Sequence, residues 1–258
     1  MARINIASAT LQYFPIQGRG EPIRYLLTDA SIPFTESNDT ASFFANKADC
    51  AEYRFQQLPR LSVTRAGSDG QDEVVHLAQQ GAILRFLAKV AGYGEGADAW
   101  KEAVVDQLQD ACEDLNTAYT RCIYGADAPA LLSEFVNTTV PKVLRQFEYL
   151  FAHNKSEAGY LAFDQVLPSL HARLLPFCAR SFSVAPSTTF ANSPSLVRQF
   201  HLLYLVHALR KLQPAVLESY PTLAAWEARM RARPGPAGYE PRHEMLNGNA
   251  NGQGPCAA

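Results

Sequence analysis

The chain has 258 residues, 47% of them apolar, and a formal net charge of −2. That length holds one large domain or two modest ones, and the charge balance excludes the basic face that nucleic acid or an anionic membrane surface demands. No apolar run reaches a membrane span, Met1–Phe14 lacks a secretory pattern, and the five scattered cysteines include no C-x-x-C, so a cytoplasmic protein without a disulfide framework or zinc site is expected.

The stretch from Thr10 to Ala30 reads as strand, tight turn and helix. Thr10, Leu11, Tyr13 and Phe14 suit a strand, Pro15 ends it, Gly18 and Gly20 let the loop bend, and Pro22 suits the first turn of a helix. Ile23, Leu26 and Leu27 then recur at helical spacing. Tyr13 places a hydroxyl at a strand end, facing a loop that opens onto a helix N-terminus, and a reaction centre is expected there. Phe34 and Thr35 suggest an edge strand, and Ala41–Tyr53 a weaker helix. Leu61–Arg65 and Glu73–Leu77 are β-rich runs joined by a turn-rich loop, a hairpin signal. Ile83, Leu84, Phe86, Leu87 and Val90 define an amphipathic helix from near Gln80. This order predicts a small α/β layer with a mixed sheet.

Gly92–Gly96 breaks the pattern, and strand signals vanish beyond it. Trp100, Val104, Leu108, Ala111, Leu115, Ala118 and Cys122 mark one face of a long helix. Leu131–His153 is also helical, with Pro141 placed to kink or split it. Further helices are expected at Pro168–Arg180, Ser195–Leu212 and Thr222–Arg231, with Ser181–Pro194 a loop. The expected organisation is an α/β domain over residues 1–92, an all-helical domain over 97–240, and a disordered tail over 241–258. The six histidines show no metal-ligand pattern, so no metal site is expected.

Several separated pieces occur in one order: Tyr13-Phe14-Pro15 with Gly18-Arg19, Gln57-Leu58-Pro59, Gln79 to Leu87, Glu113-Asp114-Leu115, and Tyr119 with Tyr124. Together they resemble the cytosolic glutathione transferases of the tyrosine type, the pi class most. The resemblance implies a thioredoxin-like first domain that binds glutathione and a helical domain that supplies a pocket for a hydrophobic electrophile. Glutathione is then a co-substrate and no cofactor is needed.

By the same resemblance Tyr13 is the catalytic residue. A thiol of pKa about 8.5 is mostly protonated at neutral pH. A hydrogen bond to a charged group is worth roughly 1.5–3 kcal/mol, so a phenol donating to the thiolate lowers the thiol pKa by about one to two units. The thiolate is the nucleophile. No cysteine lies in Phe14–Ile23, which argues against thiol–disulfide chemistry at this helix start. The resemblance further implies glutathione contacts from Phe14, Arg19, Gln57, Leu58 and a cis Pro59. Gln79 and Gln80 would offer first-turn N–H groups to the γ-glutamyl carboxylate. It makes Asp114 a residue that reaches a neighbouring subunit's glutathione, Tyr124 a donor in the electrophile pocket, and Phe55 the aromatic that keys into a partner in a homodimer.

Three departures from the pattern stand out. Gln80 replaces a serine. Phe44 and Cys50 replace a tryptophan and a lysine at the glycine end of glutathione, with Lys47 one turn before Cys50 able to substitute. A helix capping box reads Leu167 to Leu170 instead of Ser-x-x-Asp. The expected function is conjugation of the glutathione thiolate to hydrophobic electrophiles. The alternatives are a non-catalytic structural or binding protein of the same fold, or a transferase that uses another thiol.

Overall fold

The computed structural model describes residues 6, 8–66, 71–93, 99–125, 127–154 and 194–233. Its first half is a four-stranded sheet of β1 (Ser8–Gln12), β2 (Phe34–Ser37), β3 (Arg60–Ala66) and β4 (Asp72–Ala78), in the spatial order β2-β1-β3-β4. β1 lies parallel to β2, and β3 is antiparallel to both β1 and β4. The parallel pair needs a crossover, which α1 (Glu21–Asp29) supplies. This is the mixed sheet expected from the pattern.

The register decides where chemistry can sit. Because β1 and β4 both run against β3, the end of β1, the start of β3 and the end of β4 coincide. Gln12 pairs with Arg60, and Arg60 with Ala78. The next residues out, Tyr13, Pro59 and Gln79, therefore emerge side by side at one end of the sheet.

Two short helices complete this half, α2 (Thr40–Asn46) and α3 (Gln80–Val90). Asp39 caps α2, its Oδ1 accepting from the Ser42 N–H at 2.9 Å. α1 buries Ile23, Leu26 and Leu27 completely, and with them Glu21 and Arg24. Arg24 donates to Glu21 at 3.0 Å, to Glu36 on β2, and to the carbonyls of Ile16 and Gln17 at 3.2 Å each. One guanidinium thus ties helix, strand and the loop after Tyr13 together.

The second half is helical: α4 (Ala99–Tyr124), α5 (Ala128–Glu134), α6 (Val140–Asn154), α7 (Pro194–Leu212) and α8 (Pro221–Arg231). α7 is apolar on nearly every side, as a helix buried on all faces must be. Phe200, Leu202, Leu203, Tyr204, Leu205, Val206 and Leu209 are at most 3% exposed. It packs on α1, α3, α4 and α8, so one core spans both halves. At the far end of α1, Asp29 accepts from Tyr93 Oη at 2.6 Å and from Arg233 at 2.7 Å.

α8 has no local side-chain cap. Glu148, from α6, accepts instead from the N–H groups of Thr222 and Leu223 at 2.9 and 2.8 Å. Glu148→Ala is expected to lower stability by about 1–2 kcal/mol, as read by urea unfolding.

α7 also carries two histidines held neutral. His201 is fully buried, and its Nδ1 accepts from Gln109 Nε2 at 3.0 Å. Burial pushes its pKa down to about 3, and that of His207 down to about 4. An unfolded histidine titrates near 6.5. Below roughly pH 6.5 the unfolded chain takes up protons that the folded chain refuses, so this contribution is full above that pH and shrinks as the pH falls towards 4. The urea midpoint should drop between pH 7 and pH 5, and His201→Gln should flatten the drop.

The structure departs from the sequence expectations in the length of one helix and in the burial of Trp100 and Val90, and it shows the split expected near Pro141. The segment Ala41–Tyr53 is helical only through Asn46, since past Phe43 it buries no apolar side chain until Tyr53, whose ring packs edge-on against Phe43. Leu131–His153 is interrupted by a π-helical turn at Phe135–Thr139, where Val140 N–H bonds to Phe135 O. Pro141 has no N–H and crowds the preceding turn, so the backbone widens just before it. Trp100, expected on the apolar face of α4, is 59% exposed, because the first turn of that helix projects beyond the core. Val90, the last apolar position expected in the third helix, is only half-buried at its end. Pro168–Arg180, Ser181–Pro194, the Leu167–Leu170 segment and the 241–258 tail lie outside the described residues.

Candidate functional site

A cavity of about 600 Å³ opens at the end of the sheet where Tyr13, Pro59 and Gln79 emerge. The α/β half supplies one wall, which includes Tyr13, Phe14, Arg19, Lys47, Gln57, Leu58, Pro59, Gln79 and Gln80. α4 and α7 supply the other with Glu113, Asn116, Tyr119, Thr120, Ile123, Tyr124 and Tyr204.

Tyr13 sits between them and is 6% exposed. Its backbone is pinned on both sides, its N–H donating to Ser37 O at 3.1 Å and its C=O accepting from Asn38 at 3.1 Å. Its ring lies over two glycines. A Cβ at Gly18 would stand 2.7 Å from the Tyr13 hydroxyl, and one at Gly20 would stand 2.7 Å from the ring. Gly18 also holds φ at +42°. These two positions need glycine so that the phenol can lie flat along the loop.

The Tyr13 oxygen accepts the Arg19 N–H at 3.0 Å, which leaves its own proton for another acceptor in the cavity. Burial raises its pKa above the usual tyrosine value, against the opposing effect of the Arg19 N–H. The phenol therefore stays protonated at neutral pH and acts as a donor. Arg19 also pairs with Glu113, which joins the loop to α4. Both partners are more than 30% exposed, so the pair adds orientation more than stability.

The opposite end of the wall is built from Gln57, Leu58, Pro59 and Gln79. The Leu58–Pro59 bond is cis. Gln79 Nε2 donates to Gln57 Oε1 at 2.9 Å. Gln56 and Gln79 hold φ at 53° and 73°, a region costly for residues other than glycine. The backbone here is held in place rather than relaxed. Behind it α3 begins, and its first intrahelical bond runs from Ile83 N to Gln79 O. The N–H groups of Gln80, Gly81 and Ala82 precede that bond and suit an anion. Gln80 is 4% exposed, and neither its Nε2 nor its Oε1 has a hydrogen-bond partner among the described residues.

Three of the residues expected at the site lie outside this cavity. Phe44 is 59% exposed on the outer face of α2, and Phe43, 4% exposed, lines the cavity instead. A helical step of one residue sets the second ring behind the cavity wall, against Phe14 and Lys47. Asp114 is exposed and borders a separate small cavity between α4 and α6, while its neighbour Glu113 faces Tyr13's cavity. Phe55 is 69% exposed and borders an adjoining cavity of about 550 Å³ together with Arg54 and Arg85.

The site also holds residues that the sequence did not single out. Asn116 and Thr120 share a helical face with Glu113 and Tyr124, and that spacing was readable. Tyr204 gave no signal, because α7 is apolar all round. Among the described residues no cluster of His, Cys, Asp and Glu could hold a metal ion, and no described helix is long and apolar enough to cross a membrane.

No family profile matches the chain. Individual proteins do. It is 29% identical to glutathione S-transferase P of Capra hircus over 249 residues, covering 96% of this chain and 99% of that protein. It is 27% identical to a glutathione S-transferase of Dirofilaria immitis, covering 96% and 99%. Among solved structures, the pi-class glutathione S-transferase of Onchocerca volvulus superposes with a TM-score of 0.65 at 25% identity, covering 90% of this chain and 91% of that one. A prostaglandin synthase D of Nilaparvata lugens shares the fold, with a TM-score of 0.62 at 21% identity over 90% and 96% of the two chains.

Proposed function

We propose that this chain, a relative of the pi-class glutathione transferases over nearly its whole length, transfers the glutathione thiolate to small electrophiles, with Tyr13 holding the thiolate. The observation that carries the reading is the Tyr13 hydroxyl itself. Its oxygen is engaged by the Arg19 N–H, and burial keeps its proton in place at the floor of an open cavity. A donor so fixed stabilises a charge that appears only when the thiol ionises, and no reorganisation is needed at that moment.

The rest of the wall supports a peptide thiol. The first-turn N–H groups of α3 suit a carboxylate at one end, and the ammonium of Lys47 suits one at the other. The backbone of Leu58, beside the cis bond to Pro59, offers strand-like pairing between them. No cofactor enters this chemistry, because a thiolate is nucleophile enough. The chain works as a cytoplasmic homodimer in this reading, with the exposed ring of Phe55 and the outward carboxylate of Asp114 turned to the partner.

A second reading, transfer from a different thiol, draws on Gln80. Its buried amide replaces a short hydroxyl and needs both a donor and an acceptor from whatever binds beside it.

The test is retention on immobilised glutathione followed by a conjugation assay with an aryl halide. Retention with turnover is expected. Turnover that requires another thiol selects the second reading, and no retention with no turnover for any thiol overturns both.

A further inference from the structure

Tyr204 is the residue that α7 contributes to the cavity, on the wall opposite Tyr13. It is 2% exposed. Its hydroxyl has no hydrogen-bond partner among the described residues. Yet it is not sealed as the amides of Asn116 and Gln80 are, so the little surface it keeps faces the cavity. Phe200, one helical turn earlier, sets its ring 6.3 Å from that of Tyr25 on α1. Tyr204 comes near Glu21, one turn before Tyr25, and the charges that bear on it are those of Tyr119, Tyr13, Glu21 and Arg19. It therefore stands against the loop on which the Tyr13 ring rests. Burial holds its pKa well above the usual tyrosine value, so the group keeps its proton at neutral pH. A buried hydroxyl without an acceptor is unfavourable, and an acceptor arriving between the two walls relieves it.

We propose that Tyr204 is a second catalytic donor, its hydroxyl hydrogen-bonded to the same thiolate sulfur that Tyr13 holds. The inference rests on the thiolate reading above and deepens it: the charge forms between two phenols, one from each wall. In the step, the S–H bond breaks, its proton leaves to solvent, and the electron pair stays on sulfur. That pair then forms the bond to the electrophile's carbon. Neither phenol gives up its proton, and nothing is oxidised. A thiolate sulfur has lone pairs for both donors. A donor enclosed away from water acts more strongly on such a charge than one in solvent. Tyr124, 46% exposed on the same wall, lacks that enclosure.

The test compares the parent chain with Tyr204→Phe, which keeps the ring, with Tyr13→Phe and with the double variant. The thiolate absorbance of bound glutathione is titrated in each, and conjugation is assayed with an aryl halide and with benzyl chloride. In Tyr204→Phe the bound thiol is expected to titrate about one pH unit higher, the scale of losing one hydrogen bond to a charge. Both electrophiles should then slow by the same factor, about threefold to tenfold at neutral pH, because the sulfur is common to them. The double variant should titrate near the free thiol value, with Tyr13→Phe alone short of it. An unchanged titration in Tyr204→Phe overturns the assignment whatever the rate does, and a loss confined to one electrophile then makes Tyr204 a contact of that electrophile. A Tyr204→Phe chain that no longer retains glutathione overturns it too. A parent whose bound glutathione titrates at the free value removes the thiolate reading itself, and the role of Tyr204 with it.

Discussion

Tyr13→Phe should fold normally and conjugate glutathione about 10- to 100-fold more slowly at neutral pH, the loss of a charge-assisted hydrogen bond worth roughly 1.5–3 kcal/mol. The ring stays in its bed on Gly18 and Gly20, so the core is untouched. What changes is the pKa of the bound thiol. In the variant it should rise by about one to two units, toward the free value near 8.5. The pH–rate profile therefore moves bodily to higher pH, and the rates of the two proteins should converge as the pH climbs past the thiol's own pKa. A thiolate absorbance titration of the bound complex reads the same shift without turnover. A rate that is low at every pH, with no shift of the profile, would instead make Tyr13 a residue that positions the substrate.

The second large effect concerns stability. Arg24→Leu is expected to cost about 3–5 kcal/mol, because it leaves the buried carboxylates of Glu21 and Glu36 facing a hydrocarbon. The guanidinium and the Glu21 side chain are fully buried, so solvent screens neither. Urea unfolding should show a lower midpoint with an unchanged slope. Arg24→Lys should fail almost as badly, since an ammonium cannot reach two carboxylates and the Ile16 and Gln17 carbonyls from one planar fork. The same variant should also lose activity ahead of stability, because those carbonyls belong to the loop that carries Arg19 to the Tyr13 hydroxyl.

The features legible in the sequence were those set by local pattern. The strand, the bend and the helix around Tyr13 follow from Pro15, Gly18, Gly20 and Pro22, each of which constrains its own backbone. The hairpin and the mixed sheet follow from alternating runs of a length that fits strands. What stayed hidden depends on helical phase or on distant partners. Phe43 and Phe44 are neighbours of the same type, and only the helix phase decides which one faces the cavity. Asp114 and Glu113 exchange places for the same reason. Gln80 is expected to act through its first-turn N–H, and nothing local shows that its side chain is buried between the two cavities it borders. Glu148 gives no sign of capping a helix more than seventy residues away, and a buried Arg24 runs against the usual placement of arginine.

The contact of Asp29 with Tyr93 and Arg233 has a consequence for how the chain comes apart. Asp29 closes α1 and Tyr93 follows α3, while Arg233 follows the last described helix, 204 residues from its partner. The first helix and the residues that follow the last described one are thus fastened to each other. An N-terminal fragment of about ninety residues would expose the Ile23, Leu26 and Leu87 side of its helices and strand the Asp29 carboxylate. It would lack the means to hold itself together. The two halves should therefore melt in a single calorimetric transition, and cleavage between them should release no stable piece.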